Sequence, residues 1–356
     1  MPVNELGFAI IGTGMVAHSH ATAIERTPGA RLVAVCRSDP ARVEESATQF
    51  GVACLTDYAA LLARADVDAV CICTPSGLHA EQTIAAARAG KHVLVEKPIA
   101  LTLADADAMI AACEQAGVRL GVALQRRTEP EFQRVQAAIV AGELGRIVLG
   151  SISMPYLRLQ SYYDSADWRG TWALDGGGAL MNQGIHLVDL LLWLIGDASE
   201  VRATSATLAH AIQVEDCVTA TLRFVNGALG SISATTAAAP GFPHRIEIYG
   251  DHGGVQIEGE QVVRWAGGNR EPRTTQRVPD REPSAENQGQ IAAGAGASPT
   301  GIGPIGHLRL LEDFVAAIRA GRDPLAPGRE GRRSLALVLA VYEAAKTGRA
   351  VSIECA

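Results

Sequence analysis

A glycine-rich turn near the start of the chain has the spacing that binds the pyrophosphate of a dinucleotide. It follows an apolar run, opens an amphipathic segment, and consists of Gly12, Thr13, Gly14, Met15, Val16 and Ala17. The first glycine permits a tight turn, the second lets a phosphate approach the backbone, and the small third residue lets helix and strand pack closely. The phosphates would lie on the free N–H groups of the helix N-terminus. The turn therefore predicts a dinucleotide cofactor.

The end of the second apolar run indicates which cofactor is bound. An acidic residue there would accept a hydrogen bond from the ribose 2′-hydroxyl of NAD, whereas an arginine accommodates the 2′-phosphate of NADP. The chain has Arg37 and Ser38 at this point, ahead of Asp39. Arginine binds phosphate through a fork of charged donors. NADP is therefore favoured. NAD remains the alternative, with Arg37 stacked on adenine and Asp39 turned inward.

A second group of residues could carry out alcohol oxidation. Oxidising a secondary alcohol requires that hydride leaves carbon and that a base takes the hydroxyl proton, and histidine is the usual base near neutral pH. His186 lies in an apolar helical segment, four residues after Asn182, which puts both on one face of an α-helix. A histidine on an apolar helix is more often a core residue, so this pattern alone leaves its role open.

The first third of the chain contains the elements that would position the dinucleotide. Apolar runs at Leu6–Ile11, Leu32–Cys36, Ala69–Cys73, His92–Val95 and Leu120–Ala123 alternate with helical patterns at about 15–27, 40–50, 77–89 and 102–116. Strands this apolar, separated by helix-length segments, indicate a parallel sheet covered on both faces.

The sequence changes character from Ile147 onward. Alternating polar and apolar residues over about 147–158, 201–209, 214–225, 228–237, 244–250 and 253–264 predict strands, and Asn226-Gly227 is a hairpin signal. One apolar helix is expected at about 179–195, and two more at about 307–320 and 329–347. The Gly- and Pro-rich stretch 265–306 shows no periodicity and is interpreted as a long loop, ordered or not.

Composition excludes several classes of protein. With 48% hydrophobic and 19% charged residues, the chain is neither disordered nor a coiled coil. A net charge of −7 argues against nucleic-acid or anionic-membrane partners. No apolar run approaches the roughly 20 residues of a membrane span. The seven cysteines show no C-x-x-C pair, so no metal site is expected. With no signal peptide in the sequence, the protein is expected to be cytoplasmic.

In its motifs the chain resembles the Gfo/Idh/MocA oxidoreductases, the group of glucose–fructose oxidoreductase and inositol dehydrogenase. The matching pieces run in family order and comprise residues 12–17 with His20, residues 74–79, Glu96-Lys97-Pro98, residues 125–127, residues 168–172, and residues 176–178 leading to Asn182, His186 and Asp189. The resemblance implies an N-terminal Rossmann dinucleotide-binding domain and a C-terminal open, mixed, mostly antiparallel β-sheet domain. The fold class is therefore α/β plus α+β.

The resemblance also implies roles for residues at the carboxyl ends of the strands, where open α/β sheets bind ligands. Besides the glycine-rich turn, the cofactor would contact Arg37, Ser38, Thr74, Pro75, Ser76, His79, Glu96, Lys97 and Gln125. In the family the Glu of this motif contacts the nicotinamide ribose, and the Lys reaches the reacting hydroxyl. Only three of the 31 basic residues are lysines. An ammonium, unlike a guanidinium, has a pKa that responds to burial, which is a physical reason for lysine at 97.

The same resemblance favours a catalytic His186, with Asp189 more structural. Inositol dehydrogenase has Asp where this chain has Asn182. An amide cannot take a proton, so Asn182 can only bind substrate. The runs around Tyr162, Trp168 and Asn182 look more like sugar-nucleotide 3-dehydrogenases. Substrate contacts are expected from an aromatic-rich segment and its polar neighbours, namely Lys97, Tyr163, Trp168, Arg169, Trp172, Asp175, Asn182 and His186. Ordinary packing of the aromatic residues remains the alternative.

These features predict an NAD(P)-dependent dehydrogenase or reductase acting on a secondary hydroxyl of a sugar, sugar nucleotide or cyclitol. The alternatives are glycoside cleavage through transient oxidation and a non-catalytic dinucleotide sensor. Residues 1–124 are expected to form the Rossmann domain, and 125–356 the substrate-binding and oligomerisation domain, with helices 307–347 packing back on the body. A homo-oligomer formed through the C-terminal sheet is expected.

Overall fold

The computed structural model describes residues 5–267 and 305–353. The described residues form two compact units, one within 1–125 and 304–332 and the other within 126–303 and 333–356. The first unit therefore includes residues 305–332, which a division at residue 124 would assign to the second. Most of the expected loop 265–306 lies outside the described residues.

The first unit contains a parallel six-stranded sheet and its helices. Its strands are β1 (Leu6–Ile11), β2 (Ala30–Cys36), β3 (Ala53–Leu55), β4 (Ala69–Ile72), β5 (His92–Val95) and β6 (Leu120–Val122). The spatial order β3-β2-β1-β4-β5-β6 is that of the Rossmann fold. The helices that follow these strands are α1 (Met15–Arg26), α2 (Val43–Phe50), α3 (Tyr58–Leu62), α4 (His79–Arg88) and α5 (Leu103–Ala116).

Because its strands are buried on both faces, the first sheet lacks alternation and is almost uniformly apolar. Phe8, Ile10, Val35, Cys71 and Leu94 are at most 1% exposed. The helix α9 (Ile305–Ala320) adds Leu311 and Phe314 to this core and packs against α1. The apolar face of α9 packs this helix against the first sheet, although the last strand of that sheet precedes α9 by nearly two hundred residues.

The second unit contains a mixed eight-stranded sheet. Its strands are β7 (Ile147–Pro155), β8 (Ala198–Ala206), β9 (Cys217–Phe224), β10 (Leu229–Thr235), β11 (Arg245–Gly250), β12 (Gly254–Glu258), β13 (Gln261–Ala266) and β14 (Val351–Ser352). The spatial order is β13-β12-β11-β7-β10-β9-β8-β14, in which only β7 and β10 pair in parallel. The predicted fold class is confirmed.

One face of this second sheet is covered and the other is exposed. In β9, Val218, Ala220 and Leu222 are buried, whereas Thr219 and Thr221 between them are exposed. The remaining helices are α6 (Pro130–Val140), α7 (Gln160–Tyr163), α8 (Ile185–Ile195) and α10 (Gly328–Thr347). The apolar helix α8 packs against β7 and β11. None of the helices in the described ranges is long and apolar enough to cross a membrane.

Candidate active site

The glycine-rich turn has the geometry that its sequence predicts. Gly12 has a φ of +89°, and a Cβ there would lie 2.7 Å from the carbonyl oxygen of Cys73, so only glycine fits. Gly14 precedes α1, and apart from its own atoms and its two neighbours in the chain nothing lies within 4 Å of the position a Cβ would take. Ala17 is fully buried. The protein itself therefore leaves open the space that a pyrophosphate would need at the start of α1.

The tip of β2 presents a cation rather than a carboxylate. The Nη1 of half-buried Arg37 donates to the Oγ of Ser46 at 2.7 Å, and its Nη2 lies 3.9 Å from a carboxylate oxygen of Asp39. Asp39 accepts a hydrogen bond from the backbone N–H of Ala41, as the cap of a short helix. Ser38 is exposed. These residues therefore offer donors where an NAD-specific site would offer an acceptor.

The loops after β4 and β5 are joined by a buried histidine. The ring nitrogens of His79 lie 2.8 Å from the carbonyl oxygen of Pro98 and 3.0 Å from that of Thr74. Burial lowers the pKa of His79, although the contacts with the two carbonyls oppose that shift. The hydroxyl of Thr74 donates to Gln82 on α4. The expected cofactor residues on these two loops therefore belong to one hydrogen-bonded group.

Glu96 points into the first unit. Its Oε1 accepts from the Nε2 of His20 at 2.8 Å and lies 3.4 Å from that of His307, and its Oε2 accepts from the backbone N–H of Lys97 at 3.2 Å. Burial raises the pKa of Glu96, but the two histidines outweigh it and hold the pKa well below its ordinary value. Burial lowers the pKa of His20. His20, whose pKa is lowered, therefore faces an ionised carboxylate.

The same three side chains could also hold a metal ion. The ligand atoms of His20, Glu96 and His307 all lie within 4.8 Å of one another. The short contact between His20 and Glu96 has the length of a hydrogen bond, and His20, Glu96 and His307 are each less than 9% exposed. Hydrogen bonding among them therefore accounts for their arrangement.

In the second unit, a π-helical segment over Ala179–Gly184 leads into α8 and carries Asn182. The expected α-helical spacing from Asn182 to His186 is therefore interrupted, since π-helices bond residue i to i+5. His186 is 5% exposed. Gln125, at the end of the first unit, is also buried.

Two residues that sequence reasoning missed fix this π-helical segment. The carboxylate of Glu215 accepts from the backbone N–H groups of Gly178 and Leu180, at 2.9 and 2.8 Å, and from the hydroxyl of Tyr342. A Cβ on Gly178 would lie 1.8 Å from the carbonyl oxygen of Glu215. The available signal in the sequence was the pair of adjacent acids, Glu215 and Asp216, immediately before β9.

Three of the polar residues expected to bind substrate, Arg169, Asp175 and Asn182, lie in one chain of hydrogen bonds. Tyr162 and Gln183, which were not among the expected residues, complete this chain. Arg169 donates to the hydroxyl of Tyr162 at 2.6 Å, and Gln183 donates to that hydroxyl at 3.2 Å and to Asn182 at 3.1 Å. Asn182 in turn donates to Asp175. The guanidinium of Arg169 also lies over the rings of Tyr162 and Trp168, 4.4 and 4.6 Å from their centroids. These five hydrogen-bonded residues are referred to below as the polar chain, namely Arg169, Tyr162, Gln183, Asn182 and Asp175.

Tyr163 and Trp172, also expected to bind substrate, lie outside the polar chain, and Asp175 at its end is buried. Tyr163 is 6% exposed, and its hydroxyl pairs with that of Thr236 at 2.8 Å. Trp172 is 48% exposed and donates from its indole N–H to the carbonyl of Gln213. Asp175, 2% exposed, also accepts from the backbone N–H of Gly170. Tyr163 therefore has the contacts of a packed residue, whereas Trp172 offers an open aromatic face.

Comparisons with known proteins identify the family. Residues 6–124 match the family described as "Oxidoreductase family, NAD-binding Rossmann fold", and residues 132–256 match the GFO/IDH/MocA C-terminal domain. The chain belongs to this family, as its motifs predicted. It is therefore an NAD-binding oxidoreductase that acts on CH–OH groups.

Three relatives illustrate the range of the family. The 1,5-anhydro-D-fructose reductase of Ensifer adhaerens is 31% identical, over 98% of both chains. The inositol 2-dehydrogenase of Rhizobium meliloti is 29% identical, over 97% of this chain and 98% of the relative. The WlbA dehydrogenase of Bordetella pertussis, solved with NADH and UDP-GlcNAcA, has a TM-score of 0.85 at 34% identity, covering 99% of this chain and all of the other.

Proposed function

We propose that the protein oxidises a secondary hydroxyl, or reduces the corresponding ketone, of a sugar, sugar nucleotide or cyclitol. The polar chain is the observation that carries this proposal. Its five side chains, which include both donors and acceptors and lie beside the ring of Trp168, suit a ligand with several hydroxyls. The substrates named for the reductase, the inositol dehydrogenase and WlbA all carry such hydroxyls.

Lys97 and His186 are the proposed catalytic residues. A bound nicotinamide would supply the acceptor for the hydride that leaves the carbinol carbon. His186 takes the hydroxyl proton, and the C–O single bond becomes a carbonyl. The ammonium of Lys97 lowers the pKa of the alcohol and stabilises the developing negative charge on its oxygen. Asn182 has no proton-accepting group and contributes hydrogen bonds alone.

We propose NADP as the favoured cofactor, with NAD as the alternative. Arg37 and exposed Ser38 supply donors for a 2′-phosphate, whereas Asp39, the nearest carboxylate in sequence, caps a short helix. The complex of WlbA with NADH favours the alternative. The wider cofactor set expected from sequence, from Gly12 to Gln125, belongs to this proposal too.

The substrate class is proposed to include sugar nucleotides oxidised at C3. Supporting this, the run of residues 168–183 resembles that branch, and WlbA carries UDP-GlcNAcA in its complex. A homo-oligomer formed through the exposed face of the second sheet and a cytoplasmic location are proposed as well. The location is supported by the free state of the cysteines among the described residues.

A direct assay tests the function. The purified protein is titrated with NADPH and NADH by fluorescence, and then supplied with a panel of aldoses, cyclitols and sugar nucleotides while the reduced cofactor is followed by absorbance. We expect net formation or consumption of NAD(P)H with a polyhydroxylated substrate. Cleavage of a glycoside without net change in NAD(P)H would contradict the dehydrogenase proposal, and so would cofactor binding without turnover of any substrate on the panel.

A further inference from the structure

Lys97 lies between Glu96 and Pro98 in the sequence, and buried histidines contact both of these neighbours. On its N-terminal side is the side chain of Glu96, which meets His20 and His307. On its C-terminal side is the carbonyl of Pro98, which meets His79. All of these residues belong to the first unit.

The contact through Glu96 reaches the backbone of Lys97 itself. One carboxylate oxygen of Glu96 faces the two histidines, and the other accepts from the N–H of Lys97 at 3.2 Å. Glu96 is 7% exposed, and the histidines are 1% and 4% exposed. Rotation of the carboxylate would break contacts on both sides, so the histidines fix the orientation of the group that holds the Lys97 backbone.

The contact through Pro98 ties the same loop to the neighbouring strand. His79, 1% exposed, bridges the carbonyl oxygens of Pro98 and Thr74, at 2.8 and 3.0 Å. Thr74 follows β4, and Pro98 follows β5. A neutral imidazole has one N–H, so His79 donates to one of these carbonyls while its other ring nitrogen lies against the second. The loop that carries Lys97 is thus fixed to the adjacent loop as well as to the interior.

Burying these polar groups has a cost that apolar residues of similar size would avoid. His20 lies on α1, His79 begins α4, and His307 lies on α9, so three separate helices converge on one loop. Hydrogen bonds between buried polar groups restrict a site to one geometry more strictly than apolar packing does. Such a restriction is useful in the loop that carries Lys97, because the Lys97 side chain must contact the reacting oxygen.

We propose that His20, His79 and His307 are positioning residues that fix the loop carrying Lys97. The proposal rests on the catalytic role proposed for Lys97. It assigns a share in the rate of the chemical step to three histidines that are buried in the first unit.

Kinetics on paired variants test this role. His20→Leu and His79→Leu remove the hydrogen bonds, while His20→Gln and His79→Asn retain one donor near the original nitrogen. We expect both leucine variants to lose about 100-fold in kcat, as a displaced catalytic group does, with little change in the KM of the substrate. Cofactor affinity should change little in His20→Leu, because His20 is not among the expected cofactor contacts. The amide variants should recover part of that loss. His92→Gln is the matched control, since His92 is half-buried at the opposite end of β5 and accepts from the N–H of Arg119.

A double-mutant cycle separates positioning from general destabilisation. In a Lys97→Ala background, His20→Leu should cause little further loss of kcat, because the residue it positions is already absent. Losses that multiply would overturn the proposal. So would equal losses of kcat and of cofactor affinity, or a stoichiometric metal ion in the purified protein that His20→Leu removes.

A second readout needs no activity and therefore distinguishes failure of this proposal from failure of the proposed function. The chain has only three lysines, so reductive methylation with isotopically labelled formaldehyde gives three assignable NMR signals from lysine side chains. In His20→Leu and His79→Leu, the Lys97 signal should move toward that of exposed Lys346. The Lys91 signal should stay, because its Nζ donates to the carbonyls of Arg64 and Val67. An unchanged Lys97 signal would overturn the proposal, whatever the activity.

Discussion

The carboxylate of Asp189 accepts two hydrogen bonds from the guanidinium of Arg127, from Nε at 2.8 Å and from Nη2 at 2.6 Å. Both side chains are almost completely buried, at 1% and 3% exposed. The hydroxyl of Ser334 donates to the same carboxylate at 3.0 Å. Asp189, one turn after His186 in α8, therefore links three segments of the second unit, which agrees with the structural role favoured from sequence.

We expect Asp189→Asn to destabilise the protein by about 3–5 kcal/mol, because it removes the charge that faces a buried guanidinium. The free energy of unfolding in urea measures the effect. Asp167→Asn is the control, since Asp167 is exposed, and it should change stability by less than about 0.5 kcal/mol. Equal stability of the two variants would contradict the assignment.

Lys97→Arg should lower kcat by about 100-fold or more, although it conserves the charge. The guanidinium is larger and planar, so it does not place a compact positive charge beside the reacting oxygen as an ammonium does. Steady-state kinetics at saturating cofactor measure the loss. Lys346→Arg, on the exposed end of α10, should leave kcat unchanged. Full activity of Lys97→Arg would exclude a specific role for the ammonium.

Arg37→Asp should weaken NADPH binding by roughly 10- to 100-fold, the equivalent of losing a charge-assisted hydrogen bond to the 2′-phosphate. NADH binding should be retained, since the new carboxylate can accept from the ribose hydroxyl. Fluorescence titration with both cofactors gives the ratio of dissociation constants. Arg42→Gln, in the exposed helix that follows, serves as control. Tighter binding of NADH than of NADPH by the parent protein would refute the proposed preference.

The stability of the protein should fall as the pH drops below about 6.5, the ordinary pKa of histidine. Burial and the neighbouring guanidinium of Arg126 lower the pKa of His244 well below that value. Its Nε2 accepts from Arg126 at 3.1 Å, so Nδ1 carries the proton and donates to Tyr156 at 2.9 Å. Between the two pKa values the unfolded chain binds a proton that the folded chain does not, so stability rises with pH.

This pH dependence is checked with His244→Gln, which can still accept and donate. The slope of unfolding free energy against pH between 5 and 6 should fall by up to about 1.4 kcal/mol per pH unit relative to the parent protein, the contribution of one proton. Part of the slope should remain in His244→Gln, because the pKa of buried His20 is also lowered. His252→Gln, at an exposed position, should leave it unchanged. An unaltered slope in His244→Gln would show that His244 protonates freely in the folded state.

Thr221→Arg should dissociate the proposed oligomer. Thr221 lies on the exposed face of β9, where its neighbours across the sheet include Arg202 on β8 and Ser231 on β10. A second arginine there adds like charge and bulk to a face that would pair with its own copy. Sedimentation velocity gives the mass. Leu208→Arg, at a 72% exposed position outside the strands, is the control. An oligomer that survives Thr221→Arg would exclude this part of the face.

The described elements show why the N-terminal strands could be predicted closely. The runs Leu6–Ile11 and His92–Val95 coincide with β1 and β5, because a strand buried on both faces must be apolar throughout. The sequence did not predict β3, because its apolar run over residues 52–55 is short and its three residues are exposed or only partly buried. The predicted strand 253–264 is two strands, β12 and β13, joined by a turn at Gly259, whose φ is +58°.

The sequence by itself determined the fold class, the dinucleotide turn and the family, because glycine spacing and hydrophobic periodicity are local properties of the chain. Only the tertiary structure revealed the partners of the buried charges. Glu96 meets His307 across 211 positions, and Glu215 fixes a π-helical segment 37 residues before it. A hydrogen bond depends on distance in space, which local sequence patterns do not encode, so the setting of Lys97 emerged only once three helices converged on its loop.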